Sequence, residues 1–219
     1  MFTACQWRGI QVIWFVNVYR LPVVRDINYS VRKCFPVPLG AGNFFIGMGN
    51  VMEIVTGKSY HISDDFFVKV SDPMLMTNKE DGKYRPHFFF FKDAKTDGIY
   101  WAIPQSSRTL KYKEIVKKKI AKYGKCNTII IGEFGGKENA FLIQNMFPIT
   151  EKYVDHEHTI GGKSVKIHSS LSESIISNAK EVLALHRRGV NLIFPDVDRI
   201  YDLMADELSE KELCYTNSD

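Results

Sequence analysis

The chain has 219 residues, and 45% of them are hydrophobic, which is enough for one domain with a substantial core and too apolar for a disordered protein. Its formal charge is only +4, and its four cysteines are widely separated without a CxxC pair, which favours neither a zinc site nor a disulfide framework. The apolar run from Ile10 to Tyr19 contains Gln11 and Asn17 and is about half as long as a membrane span. No signal peptide is evident, so these features predict a cytoplasmic protein that does not enter a membrane.

Positive charge is concentrated in one stretch of the chain. From Lys83 to Lys125 there are twelve basic side chains and three acidic ones, a net charge of +9. Such an asymmetry indicates a polyanionic partner. A run of charge is usually no more than a solvated helix face. Here the scarcity of compensating acids favours a surface that binds nucleic acid.

Residues 1–51 differ in pattern from the rest of the chain. No hydrophobic period holds there for more than a few residues, and the segment ends in a glycine-rich stretch. A second methionine, Met52, opens a more regular segment. We therefore predict an N-terminal extension of uncertain status over residues 1–51 and a functional domain over residues 52–219. An over-long start assignment would explain the extension, and the mass of the native N-terminus would test that explanation.

The first predicted elements after Met52 are short. Residues 57–62 predict a strand, and Ser63 predicts the N-cap of a brief helix that ends near Val70. The phenylalanine-rich run over residues 85–91 predicts a buried strand. A turn at Asp97-Gly98 would pair it with residues 99–103 as a hairpin.

A basic helix is predicted next, from about Thr109 to Tyr123, ending at Gly124. Its predicted apolar stripe consists of Leu110, Ile115, Val116 and Ile120.

Two further strands, residues 128–131 and 140–143, are predicted on either side of Gly135-Gly136. A capping box at Ser170–Glu173 would open a helix that runs to Arg188, and a last helix covers about residues 196–208. The elements together predict an α+β fold. Its core would be a bent antiparallel sheet or a small barrel, with the basic helix inserted and further helices at the C-terminal end.

The candidate chemistry is metal-free cleavage of RNA. The sequence contains no P-loop, GxGxxG, GxSxG or HExxH motif, and His156 and His158 lack a third ligand, so we predict neither a metal site nor a cofactor. Such cleavage needs a base for the ribose 2′-hydroxyl, a cation for the pentacovalent phosphorane and an acid for the leaving 5′-oxygen. The candidate residues for these roles are Arg85, His87, Ser106, Ser107, Arg108 and Lys111.

A hairpin would bring most of these candidates together. Arg85 and His87 begin one strand, and Ser106-Ser107 follow the end of its partner. The two serines would then lie at the N-terminus of the basic helix, where free backbone N–H groups bind phosphate. Two simpler explanations stay open at this point. The serines could only cap the helix, and His87, beside four phenylalanines, could be a core histidine.

The order of these features resembles the toxins of type III toxin–antitoxin systems, the ToxN/AbiQ group, and more closely its CptN branch. The resemblance rests on Tyr60 in the first strand and on Arg85-Pro86-His87 at the head of an apolar strand. It also rests on Tyr100–Ser107, similar to an aromatic-apolar-proline-serine signature, and on Ala140–Ile149, a late strand ending in Pro-Ile. It covers roughly residues 52–208.

The resemblance implies an SH3-like barrel similar to that of MazF and PemK. It also implies a phage-defence toxin that is a metal-independent endoribonuclease, leaving a 2′,3′-cyclic phosphate and a 5′-hydroxyl. The implied substrate is cellular or phage RNA. The implied antitoxin is a small repetitive RNA that the toxin processes and then holds in a closed protein–RNA oligomer.

The resemblance also assigns residues. Ser107 is similar to the active-site serine and Ser106 to the serine or threonine before it. Arg85 stands where ToxN members carry a lysine. A second lysine of that group is replaced by Thr109, so Arg108 or Lys111 would have to supply its charge.

RNA binding is predicted for the basic segment and the first strand. The residues are Tyr60, Lys83, Lys113, Lys117, Lys118, Lys119 and Lys122. One alternative is a non-catalytic nucleic-acid-binding module that uses the same helix. A hydrolase or transferase with a serine nucleophile is the weakest alternative, because no acid–base partner stands in a recognisable arrangement with Ser106 or Ser107.

Overall fold

Residues 54–216 are described by the computed structural model, except for the side chains of residue 90 and residues 211–216. The predicted extension over residues 1–51 and its boundary at Met52 lie outside this range. Within it the chain forms eleven short strands and four α-helices. No helix in this part of the chain is both long and apolar enough to cross a bilayer.

The strands in chain order are β1 Ser59–Ile62, β2 Lys79–Glu80, β3 Lys83–Tyr84, β4 His87–Lys92, β5 Ile99–Ser106, β6 Ile130–Phe134, β7 Lys137–Phe141, β8 Phe147–Thr150, β9 Val154–Glu157, β10 Thr159–Ile160 and β11 Lys163–Ser164. The helices are α1 Asp64–Val70, α2 Thr109–Tyr123, α3 Ser169–His186 and α4 Val197–Thr216.

Seven strands form one antiparallel sheet in the order β6-β7-β5-β4-β1-β9, with β8 also paired to β5. The predicted hairpin of β4 and β5 is confirmed, and Gly98 in its turn has a φ of +83°, which glycine adopts without strain. Among the described strands, β6 and β9 end the sheet and do not pair with each other. The α+β prediction is therefore confirmed, whereas the closed small barrel is not.

The phenylalanine strand β4 serves both faces of the sheet, because successive side chains of a strand point to opposite sides. Phe88 packs in a cluster with Ile103 and with Val182 of α3. Its neighbour Phe89 packs in a second cluster with Phe66 of α1 and Met204 of α4. Both phenylalanines are fully buried, and each such side chain contributes about 1.5–3 kcal/mol to stability. The predicted buried strand is thus the centre of a helix-covered sheet.

Two helix predictions hold and one start is wrong. The hydroxyl of Ser63 accepts a hydrogen bond from Asp65 N at 3.2 Å and caps α1 as predicted. Helix α2 has the predicted bounds and ends at Gly124. Helix α3 does not open with the predicted capping box. Its N-cap is His168, two residues before the predicted Ser170, and Ser172 N donates to His168 O at 2.9 Å.

The apolar face of α2 differs from the predicted stripe. Tyr112 is buried, and Ile115 and Val116 pack beside it against a small cluster that includes Leu142. Leu110 is 80% exposed. The contact face therefore follows the spacing 112, 115, 116 and 119, which is one side of a helix. This choice of face decides which lysines of α2 stay free.

Candidate active site

The register of the β4–β5 hairpin builds the site. His87 lies opposite Pro104, and Gln105 N donates to Pro86 O at 3.0 Å. The residues just before β4 therefore lie beside the end of β5 and the serine turn, which we define as Ser106-Ser107. The neighbourhood predicted from the sequence is confirmed.

Arg85 is held rigidly at this junction and is only 4% exposed. Its Nε donates to Thr77 O at 3.1 Å, and its Nη1 donates to Gln105 O at 2.5 Å. The remaining nitrogen, Nη2, lies 3.4 Å from Oε1 of Glu80. Two backbone carbonyls thus fix the guanidinium plane, and its free edge faces a carboxylate.

The serine turn points its donors at the same carboxylate. Ser106 Oγ donates to Glu80 Oε1 at 2.8 Å. Ser107 donates to Glu80 Oε2 twice, through its backbone N at 2.9 Å and its Oγ at 3.0 Å. Helix α2 has Arg108 as its N-cap without a side-chain capping bond. The Ser107 hydroxyl is therefore turned towards Glu80 and does not cap the helix.

Glu80 was not predicted from the sequence, yet it is the centre of the site. Burial acts to raise its pKa, but hydrogen bonds from Ser106 and Ser107 and the charge of Arg85 outweigh burial, so the pKa lies below its ordinary value of 4.5. Arg108 adds a further positive charge, with Nε 3.8 Å from Glu80 and Nη2 2.6 Å from Asp81. The arrangement stabilises a negative charge beside the serine turn.

A cleft of about 660 Å³ opens over this arrangement. Its lining includes Glu80, Lys83, Arg85, Gln105, Ser107, Lys137, Asn139 and His158. The Oε1 atom of Gln105 is buried and, among the described residues, has no hydrogen-bond partner, while its Nε2 donates to Ser59 Oγ at 2.7 Å. The cleft therefore combines cations with hydroxyl donors.

The imidazole in this cleft is that of His158. Its Nδ1 lies 2.8 Å from Nε2 of the half-buried His61, and its ring packs 5.3 Å from that of Phe134. Burial, followed by the charge of His156, lowers the pKa of His158 below 6.5. The ring is therefore neutral at pH 7. The sequence singled out His158 only with His156, as a histidine pair without a third metal ligand. Its place in the cleft depends on long-range packing, because it directly follows β9, at the far end of the sheet order.

Two predicted site residues lie in the core instead. His87 is 1% exposed, and its ring lies 5.6 Å from that of Phe147 and 6.2 Å from that of Phe67. Burial, then the charges of Arg85 and His61, lower its pKa to about 3. Tyr60 is also 1% exposed and contacts Phe89. Neither ring lines the cleft.

The predicted RNA-binding lysines divide into held and free groups. Lys113 pairs with Glu138 at 2.6 Å. Lys119 is held most firmly, because its Nζ donates to Thr128 Oγ1 and to Gln144 Oε1, each at 2.7 Å. It continues the contact face of α2.

The other lysines of α2 are exposed to solvent: Lys111, Lys117, Lys118 and Lys122. Lys117 pairs with Glu114 of the same helix at 3.0 Å, with both side chains exposed. Such a surface pair contributes little to stability and leaves the charge accessible. We call these four lysines, together with Lys83 of the cleft lining, the accessible basic face.

Within residues 54–216, no group of three or more His, Cys, Asp or Glu side chains is placed to hold a metal ion. The described residues define an α+β protein that has a basic cleft and an anion-holding serine turn beside an inserted helix.

In sequence, no family model and no curated protein matches the chain. In structure, it is similar to AbiQ, a lactococcal anti-phage endoribonuclease belonging to the type-III toxin-antitoxin system, with a TM-score of 0.53 at 14% identity. The match covers 71% of this chain and 99% of AbiQ. A structure from a bacterial antiviral system regulated by a processed non-coding RNA aligns at 15% identity with a TM-score of 0.49, over 66% and 95% of the two chains. The resemblance to the ToxN/AbiQ group is confirmed in the fold.

Proposed function

We propose that this chain is a cytoplasmic, metal-independent endoribonuclease, the toxin of a type III toxin–antitoxin system in phage defence. One observation carries the proposal. The serine turn, Arg85 and Arg108 converge on a single anion at the floor of a cleft bordered by further cations. Such a set of donors suits the negative charge that develops on the phosphoryl oxygens during phosphoryl transfer. Additional support comes from AbiQ, an endoribonuclease of the same fold.

The proposed reaction is an internal transesterification. The ribose 2′-oxygen attacks phosphorus, and the bond from phosphorus to the 5′-oxygen breaks, leaving a 2′,3′-cyclic phosphate and a 5′-hydroxyl. One proton passes from the 2′-hydroxyl to a base in the cleft, and one passes from solvent water to the 5′-oxygen. We assign the first proton to His158, because its ring lines the cleft and is neutral at pH 7. Ser107, Arg85 and Arg108 would hold the phosphorane, and Arg108 or Lys111 would supply the cation near the leaving oxygen.

The proposed partner is a small repetitive RNA that acts as the antitoxin, is cut by the toxin and stays bound in a closed protein–RNA oligomer. The accessible basic face, with Lys83, Lys117, Lys118 and Lys122, is suited to hold its backbone. A tandem array of short repeats followed by a terminator, directly upstream of the gene, would support this partner. A gene without such an array would count against it.

Ser107→Ala tests the proposed function directly. We expect the wild type to cut single-stranded RNA in EDTA and to release cyclic-phosphate ends. Loss of the Ser107 hydroxyl should slow cleavage about 100-fold, as for loss of one donor to a transition-state charge. Ser174→Ala is a matched control, because that hydroxyl bonds to Ser170 O on an exposed part of α3. Cleavage rates and product ends would be measured by gel and mass spectrometry.

Three outcomes would contradict the proposal. Cleavage that requires Mg²⁺ would remove the metal-independent mechanism. If the Ser107→Ala and Arg85→Ala variants cleave RNA as fast as the wild type, the proposed active site is wrong. Tight, salt-dependent binding of RNA that stays intact would favour the alternative of a non-catalytic nucleic-acid-binding module.

A further inference from the structure

The carboxylate of Glu80 lies where the proposed function needs a phosphate. Its two oxygens accept three hydrogen bonds from the serine turn, at 2.8, 2.9 and 3.0 Å. Two guanidinium groups, from Arg85 and Arg108, lie within 4 Å of it. A carboxylate and a phosphodiester each carry one negative charge and offer acceptor oxygens to the same donors. One set of donors cannot hold both anions at once.

Glu80 reaches this position from a small separate hairpin. Strands β2 and β3 pair only with each other, two residues on each side. The base of the hairpin is anchored, since Asn78 Nδ2 donates to Ile62 O at 2.8 Å and Arg85 N donates to Asn78 O at 2.7 Å. The Glu80 side chain itself is tied to the body of the protein through the serine turn and the guanidinium groups. Rotation about its side-chain bonds would empty the site while the base of the hairpin stays anchored.

A role for Glu80 as the base that deprotonates the 2′-hydroxyl fits these contacts less well. The lowered pKa of Glu80 makes it a weak base near neutral pH. Both of its oxygens are already occupied by donors that would otherwise hold the phosphorane. The same lowered pKa is what an anion site produces in a resident carboxylate.

We propose that Glu80 is an internal competitor that fills the phosphate site of the serine turn until the scissile phosphodiester of RNA displaces it. The inference rests on the proposed function, because it identifies the displacing ligand as a phosphodiester. Displacement of Glu80 costs binding energy. The apparent affinity for the phosphodiester therefore equals the intrinsic affinity multiplied by the fraction of molecules in which Glu80 does not fill the site. RNA that also contacts the accessible basic face gains energy to displace Glu80, whereas an isolated phosphate gains none.

The test measures binding of inorganic phosphate, which needs no catalysis, to the full-length chain by calorimetry at low salt. Glu80→Ala empties the site and should bind phosphate about tenfold more tightly than the wild type. Asp81→Asn is the matched control. It removes one negative charge from the same hairpin without emptying the serine turn, and asparagine tolerates the φ of 52° at this position. Its affinity should rise less than about threefold, the effect of a screened neighbouring charge.

A second variant is needed in case Glu80→Ala does not fold, since Glu80 is the acidic partner of the buried Arg85. Glu80→Gln keeps the size and one acceptor oxygen but loses the charge, so its phosphate affinity should lie between those of the wild type and Glu80→Ala. Thermal unfolding of each variant identifies the folded samples. If only Glu80→Gln folds, an affinity above that of Asp81→Asn supports the inference, and an equal affinity overturns it.

Failure of the inference and failure of the proposed function give different results. Glu80→Ala that binds phosphate no more tightly than Asp81→Asn overturns the competitor role, even if the wild type cleaves RNA. Loss of cleavage in Glu80→Ala with unchanged phosphate affinity also overturns it, since that is the result expected of a general base. If the wild type does not cleave RNA but Glu80→Ala binds phosphate about tenfold more tightly, the proposed function is wrong and the competition by Glu80 for the anion site is supported.

Discussion

Two histidines show how the surroundings of a side chain decide its chemistry. His158 lies in the cleft lining with one ring nitrogen bound to His61, and His87 lies between aromatic rings in the core. Burial lowers the pKa of both, to about 3 for His87. Only His158 combines a neutral ring at pH 7 with access to a ligand in the cleft.

His158→Gln should therefore slow RNA cleavage about 100-fold, the lower end of what a general base contributes. Because the neutral ring is the active form, wild-type cleavage should fall as the pH drops through the His158 pKa, which lies below 6.5. The variant should lack this fall. His156→Gln, an exposed substitution two residues away, should keep the fall but move its midpoint to higher pH, because the charge of His156 lowers the His158 pKa. A pH–rate profile of both variants measures this, and a parallel fall in His158→Gln would exclude the role.

Burial of His87 predicts a pH dependence of stability. In the unfolded chain its pKa returns to its ordinary 6.5, while in the folded protein it is about 3. Between these values only the unfolded chain binds the proton, so acidification favours unfolding. Titration of His87 should lower the free energy of unfolding by about 2 kcal/mol at pH 5 relative to pH 7.

His87→Leu should remove about 2 kcal/mol from the stability difference between pH 7 and pH 5. Urea unfolding at the two pH values measures the free energy of unfolding. Phe67→Leu changes the packing of the same cluster without a titratable group and should lower stability equally at both values. An unchanged pH dependence in His87→Leu would show that the folded protein binds the His87 proton as readily as the unfolded chain does.

At the scale of elements, the orientation of α2 separates structural from free lysines. Tyr112 and its neighbours along one side of the helix contact β6 and β7, and Lys119 ends this side with two hydrogen bonds. The apolar Leu110 is exposed in consequence. The opposite sides of α2 carry the accessible lysines that we assign to RNA.

Substituting Lys117, Lys118 and Lys122 by glutamine should weaken RNA binding and lower its dependence on salt. Each lost contact with a single-stranded phosphate reduces the slope of log K against log salt by about 0.7, or about 2 for the three. A 2′-O-methyl RNA, which lacks the attacking hydroxyl, allows binding to be measured without cleavage. Lys95, Lys166 and Lys180, exposed residues outside α2, form a control triple. Equal slopes for both triple variants would show that α2 does not hold RNA.

At the scale of the whole molecule, we propose that residues 1–51 are an extension outside the functional domain. Every group of the candidate site lies within residues 54–216. A chain that starts at Met52 should therefore retain cooperative unfolding and cleavage of RNA. Calorimetry and a cleavage assay of both chains would measure this. A shortened chain that fails to fold would show that residues 1–51 belong to the domain.

The sequence by itself predicted the features that depend on nearby residues. The bounds of α2, the cap at Ser63 and the turn at Gly98 follow from local backbone preferences. Pairing across that turn also placed Arg85 near the serine turn, because the ends of a hairpin are neighbours. The α+β class followed from the mixture of these elements.

Contacts between distant parts of the chain determine which side chains complete the site. Glu80 lies on a separate hairpin and His158 directly follows β9, and no short-range pattern relates either residue to Ser107. The same long-range packing buries His87 and Tyr60. It also pairs basic side chains between Lys83 and Lys125 with acidic side chains from elsewhere in the chain. A count of charges along the sequence treats those basic side chains as unpaired. Local preferences fix elements, whereas burial and charge pairing depend on contacts between residues far apart in sequence.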